Sequence, residues 1–176
     1  MSGTRGLVKA LIVIDMLNDF VLEGAPLEVP KARKIIPNIK RIISKMKSKI
    51  PIIYICDEHA KNDKEFKVWP RHCVKGTEGA KIVKELSPQK GDIIIKKSTY
   101  SGFYKTNLDK VLKKLKVKEL IVTGILTNIC VFFTVFEARI RGYEVTVLKD
   151  CVAGISDEDE KFALEQMKKI LKVKVK

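Results

Sequence analysis

The sequence predicts an α/β domain of three layers, a mainly parallel six-stranded sheet doubly wound with helices on both faces. Three observations carry this expectation. Short runs rich in isoleucine and valine recur without polar alternation, as in strands buried on both faces. Longer amphipathic segments separate them, which is the strand–helix alternation of a parallel sheet. Gly91 and Gly142 fall between a helix pattern and the next strand, where a helix stop is expected.

The elements follow in order. A first strand is predicted over 9–14 and ends at Asp15, before a helix over 32–49. A second strand over 51–56 runs into Asp57-Glu58-His59. The longest irregular stretch follows, from about 59 to 79, and long loops in compact domains are often functional. A helix over 79–86 then leads to a third strand over 92–96, which ends at Lys97. A helix over 106–116, a strand over 119–123 and a helix over 128–141 come next, with Cys130 near the start of that last helix. A fifth strand over 144–148 is followed by Asp150 and Cys151. The final helix, over 156–171, has Ser156 as its N-cap and Asp157, Glu158 and Asp159 facing the positive end of the dipole. A weaker strand, 173–175, closes the series. No repeat or low-complexity linker interrupts it, so residues 1–176 are expected to form one domain.

Composition narrows the function. With 45% hydrophobic and 32% charged residues the chain has a globular make-up, not a disordered one. The net charge of +14 raises a nucleic-acid or acidic-membrane partner. The lysines are nevertheless spread along the whole chain and alternate with apolar residues, as on a solvated surface, so neither partner is expected. A basic nucleic-acid-binding module remains a remote alternative. Abundant Lys, Glu and Ile with few labile amides hint at a thermophile. Four cysteines without a C-x-x-C pair, no secretory signal and no membrane-length apolar run point to a cytoplasmic protein with reduced thiols.

Ligands of an open parallel sheet bind beyond the carboxyl ends of its strands. Five predicted strands deliver reactive side chains there: Asp15, Asp57 with His59, Lys97, Cys130 and Asp150. A cysteine in the first turn of a helix has its thiolate favoured by the dipole and by unpaired N–H groups, which also suit an oxyanion. A buried structural cysteine is the alternative. Asp15 is placed to act as a general base or simply to cap a loop. Lys97 beside a thiol would favour the thiolate, and Lys96 competes with it, because neighbours on a strand point to opposite faces.

Three blocks carry a resemblance. Ile14-Asp15-Met16-Leu17-Asn18-Asp19-Phe20, Lys97-Ser98-Thr99-Tyr100-Ser101-Gly102-Phe103 and Gly124-Ile125-Leu126-Thr127-Asn128-Ile129-Cys130-Val131 resemble the signature blocks of the isochorismatase-like cysteine hydrolases, in the family's order. The resemblance implies a Rossmann-like isochorismatase-like hydrolase fold, with Asp15 as base, Lys97 as electrostatic partner and Cys130 as nucleophile. It also implies a cis peptide at Ile125–Leu126 that aims the N–H groups of Leu126 and Cys130 at an oxyanion. Family members that hydrolyse the vinyl ether isochorismate lack this cysteine, so Cys130 argues for amide cleavage through a thioester.

The two histidines, His59 and His72, both lie in the long loop. Spacing of i, i+2 puts Asp57 and His59 on one face of an extended chain, and His72 would complete a two-histidine, one-carboxylate metal site. Two surface histidines are the alternative. Asp57-x-His59 with Trp69-Pro70-Arg71-His72-Cys73 resembles the metal segment of the nicotinamidase branch. There a divalent metal, zinc most often, with iron or manganese as alternatives, binds the pyridine nitrogen directly or through water. Phe20 and Trp69 match that branch's aromatic substrate-binding positions. Glu58 and the stretch 61–66 depart from its pattern, which puts the substrate in doubt. Tyr100, Phe103 and Tyr104 are candidates for a pocket wall or a subunit contact, and family members often form homo-oligomers. The expected activity is hydrolysis of nicotinamide to nicotinate and ammonia, an NAD-salvage reaction on a small-molecule amide. An N-carbamoyl or ureido amidase of the same superfamily is the nearest alternative.

Overall fold

The computed structural model describes residues 7–176. Among these residues six strands form one sheet: β1 (Lys9–Ile14), β2 (Ile52–Asp57), β3 (Ile93–Lys97), β4 (Glu119–Ile125), β5 (Glu144–Ala153) and β6 (Lys174–Val175). Their order is β3-β2-β1-β4-β5-β6, and every pairing is parallel. The helices are α1 (Asn18–Val21), α2 (Pro30–Met46), α3 (Leu108–Lys114), α4 (Cys130–Ile140) and α5 (Asp157–Lys169). Strand order reverses between β1 and β4, so the chains leaving these two strands diverge and open a crevice at the sheet's carboxyl edge.

The run Ala10-Leu11-Ile12-Val13-Ile14 is apolar throughout because both faces of β1 are covered. Ala10, Ile12 and Ile14 pack with Ile53, Ile55, Leu112, Val135 and Met167 on the side of α3, α4 and α5. Leu11 and Val13 pack with Ile52, Tyr54, Ala32, Ile35 and Ile39 on the side of α2. Truncating a fully buried residue such as Ile12 to alanine costs about 2–5 kcal/mol. Ser156 caps α5 as expected, its hydroxyl accepting the Asp159 N–H at 3.0 Å. Among the described residues, no helix is long and apolar enough to cross a membrane.

Two expectations need correction. The helix predicted over 79–86 is instead two single 3-10 turns, Glu78–Ala80 and Lys84–Leu86. The segment between them is recruited by tertiary pairing. The Asn18 N–H donates to Lys81 O at 2.9 Å, the Val83 N–H donates to Met16 O at 3.0 Å, and Leu17 bridges Ile82. These bonds compete directly with the helical ladder. The fifth strand does not stop at Leu148 but continues to Ala153, with a register shift against β4 between Val122 and Gly124. Asp150 therefore lies inside β5, is exposed, and receives the Asn38 side-chain amide on its backbone carbonyl at 2.8 Å. It delivers no side chain to the carboxyl edge.

Candidate active site

Local backbone geometry brings the ends of β1 and β4 together. Gly124 has φ +107°, and a Cβ there would lie 2.0 Å from the carbonyl oxygen of Ile14. Only glycine permits this approach. Asp15 itself has φ +51°, in the left-handed region that Asp tolerates better than most residues, and the chain turns sharply there. The peptide Ile125–Leu126 is cis.

Four side chains converge in this crevice. Lys97 Nζ lies 2.8 Å from Asp15 Oδ2, 3.1 Å from Asp57 Oδ1 and 3.6 Å from Cys130 Sγ. The lysine and both carboxylates are buried. Lys96, the competing candidate, points the other way and pairs with Glu58 at 3.2 Å. Burial pushes the Cys130 thiol well above its ordinary range, against the pull of the Lys97 charge. Burial also raises Asp15, again opposed by Lys97. Burial works to discharge Lys97, but Asp15, Cys130 and Asp57 hold it firmly protonated. The cluster is therefore one fixed cation beside a thiol and a carboxyl that compete for a proton.

Cys130 is the first residue of α4. Among the described residues, neither its N–H nor that of Leu126 donates to a backbone acceptor, whereas Thr127, Ile129 and Val131 all do. Two free donors in one turn beside the sulfur form the cradle that an oxyanion requires.

Next to this cluster stand Asp57, His59 and His72, all buried, with their ligand atoms within 4.8 Å of one another. Asp57 Oδ2 lies 2.9 Å from His59 Nε2 and 3.2 Å from His72 Nε2. The other ring nitrogens face acceptors: His59 Nδ1 meets Asp63 Oδ2 at 3.1 Å, and His72 Nδ1 meets Pro70 O at 2.7 Å. In the tautomer protonated at Nδ1, each ring would donate to that acceptor and leave Nε2 to coordinate an ion. Two Nε2 atoms and a carboxylate oxygen then converge on one spot, as the ligands of a cation do. Two imidazoles and one carboxylate suit a divalent transition metal, so the residues present fit such an ion. Asp57 sits well below the ordinary carboxylate range. Its burial would raise it, but the Lys97 charge and the bonds from His59 and His72 override that.

A cavity of about 300 Å³ opens onto both clusters, lined by Phe20, Trp69, His72, Tyr100, Leu126, Ile129, Ile155 and Cys130 among others. Phe20 and His72 rings lie 5.4 Å apart. Glu28, Asp57 and Glu65 are among its lining residues, and among the described residues no lysine or arginine is. Glu28 is engaged by Arg33 at 2.7 Å. Phe103 is buried against Tyr143 and Tyr104 is exposed, so only Tyr100 of that aromatic set reaches the cavity. Cys56, Cys73 and Cys151 are buried in the core on the α2 side.

The sequence reading did not single out Asp63, Glu65 or Ile155. Asp63 and Glu65 had a signal, since acidic residues sat four and six positions after His59 in the loop already suspected of function. Ile155 had none, because Lys149 and Asp150 hide the continuation of β5.

A family model described as an isochorismatase domain matches residues 9–174. A pyrazinamidase from Pyrococcus horikoshii, solved in complex with zinc, is 40% identical over 96% of this chain and 98% of that one, with a TM-score of 0.90. A pyrazinamidase/nicotinamidase from Streptococcus mutans is 32% identical over 96% and 99%, with a TM-score of 0.91. An N-carbamoylsarcosine amidase from Thermoplasma acidophilum is 33% identical over 97% and 96%, with a TM-score of 0.88.

Proposed function

The chain belongs to the isochorismatase family, as a hydrolase of amide C–N bonds, and we propose that its substrate is nicotinamide, which it converts to nicotinate and ammonia. The charge of the cavity wall is the observation that carries this choice over the carbamoyl amidases. N-carbamoylsarcosine bears a carboxylate, and that anion would meet Glu65, with no lysine or arginine among the described lining residues to receive it. Nicotinamide is neutral, and its flat ring suits the Phe20 and Trp69 side chains.

Asp15 is the general base and takes the thiol proton as Cys130 attacks the carboxamide carbon. Lys97 stays protonated and stabilises the negative charge that moves from Asp15 to sulfur and then to oxygen. The N–H groups of Leu126 and Cys130 hold the oxyanion, supported by their lack of a backbone acceptor. Asp15 returns its proton to the departing ammonia, leaving a thioester at Cys130. Water then adds to the thioester, Asp15 accepts its proton, and nicotinate leaves as the thiol is restored. Asp57, His59 and His72 would hold the metal, with zinc as the ion the donor set and the zinc-bound pyrazinamidase favour. When bound, it supplies a Lewis-acidic anchor for the pyridine nitrogen.

A kcat/KM panel tests the substrate. Nicotinamide should exceed N-carbamoylsarcosine by about a hundredfold or more, as expected when a buried charge is left unpaired. The reverse order would replace the nicotinamidase reading with a carbamoyl amidase.

A further inference from the structure

Trp69 is the only tryptophan of the chain and sits in a stretch whose neighbours Val68, Pro70 and Arg71 are all exposed. Nothing in that local sequence fixes the indole against the cavity. One polar tie does: Trp69 Nε1 donates to the Tyr100 hydroxyl at 3.0 Å. The two residues come from separate loops, one after β2 and one after β3. Tyr100 is itself held, because its ring stacks on Phe133 with centroids 5.7 Å apart and planes 24° from parallel. Phe133 belongs to α4, whose Val131, Val135 and Ala138 are fully buried. Phe133 is itself half-exposed, so the chain of contacts runs from helix α4 through Phe133 and Tyr100 to the indole that walls the cavity.

We infer that Tyr100 is a positioning residue, whose hydroxyl holds the Trp69 indole across the cavity and so sets how tightly an aromatic amide is gripped. This rests on the proposed reading that Trp69 faces the substrate ring. Tyr100 does not touch the Asp15, Lys97 and Cys130 cluster in any hydrogen bond of the described residues. Releasing the indole frees it to populate other staggered rotamers, which weakens binding without altering the reacting groups.

The test uses Tyr100→Phe, which keeps the ring and its stacking on Phe133 but removes the acceptor. In 15N-labelled protein without substrate, the single indole N–H gives one cross-peak. It should move in the variant, and its hydrogen exchange should quicken by about tenfold or more. For the best amide of the panel, KM should rise about three- to tenfold, the loss of one hydrogen bond, with kcat changed by less than about twofold. Trp69→Phe should raise KM similarly, and Tyr100→Phe should add nothing in that background, since the two act as one unit. An unmoved cross-peak, an unchanged KM, or equal effects of Tyr100→Phe with and without Trp69 would each overturn the assignment. Failure of nicotinamide alone to react sinks the proposed substrate but leaves the cross-peak and the other amides to judge Tyr100.

Discussion

The backbone N–H of Asp57 donates to Oδ1 of Asp15 at 2.8 Å. The end of β2 thereby holds the carboxylate at the end of β1, leaving Asp15 Oδ2 to face Lys97 and the thiol. The Asp57 side chain divides its own oxygens, one toward Lys97 and one toward the two histidines. The nucleophile cluster and the metal-ligand set thus share a single residue, and the two should fail together when it is changed.

Cys130→Ala should lower turnover by about a thousandfold or more, because among the described lining residues it is the one thiol. Zinc affinity should stay at the wild-type value, since Cys130 is not among the clustered ligand atoms. Ammonia assays and zinc titration check the two halves separately.

Asp63→Asn should weaken zinc binding by about 10- to 100-fold, the usual cost of losing the group that orients a ligating histidine. At saturating zinc, most of the activity should return. Competition with a chromogenic chelator measures this, and unaltered affinity would deny Asp63 that orienting role.

Lys97→Met should destabilise the protein by about 3–5 kcal/mol, because it leaves Asp15 and Asp57 buried without their cation. Urea unfolding monitored at the single tryptophan measures the loss. A variant as stable as wild type would mean that the two carboxyls can be accommodated without a charge between them.

Glu119 predicts an acid-sensitive component of stability. It is buried, which alone would raise it, but Lys9 at 3.0 Å and the Thr146 hydroxyl at 3.0 Å hold it below the ordinary carboxyl range. Its contribution is therefore present above the unfolded value, about pH 4.3, and is lost as pH falls through the lower folded value. The stability gap between wild type and Glu119→Gln should narrow across that window. A gap that stays constant on acidification would deny the linkage.

The fold was readable where one residue pattern has one structural outcome. Unbroken apolar runs such as 10–14 and 52–55 admit burial on both faces and little else, and Ser156 before three acidic residues marks a helix start. Reading failed where distant pairing decided the backbone. The amphipathic pattern over 79–86 is real, but Met16 and Asn18 claim its hydrogen bonds. At β5, polar Lys149 and Asp150 look like a strand end, yet pairing of Gly124 with Val152 and Ile125 with Ala153 carries the strand past them. The candidate site was legible at the strand ends, where Asp15, Asp57, Lys97 and Cys130 meet as their positions suggest. Parity along β3 alone left Lys96 and Lys97 equal, and the resemblance of the block that starts at Lys97 chose between them; the side chains point to opposite faces as parity requires. Asp63 and Glu65 carried a weak signal as acidic residues in the long loop, whereas Ile155 depended on how the chain after β5 reaches the crevice, which no local pattern encodes.

Ammonia release from nicotinamide, followed before and after chelation and again after zinc is restored, tests the central claim most directly. The account predicts release matched by nicotinate, lost on chelation and recovered with zinc. A zinc-loaded protein that releases no ammonia from nicotinamide yet cleaves an N-carbamoyl amino acid would contradict it.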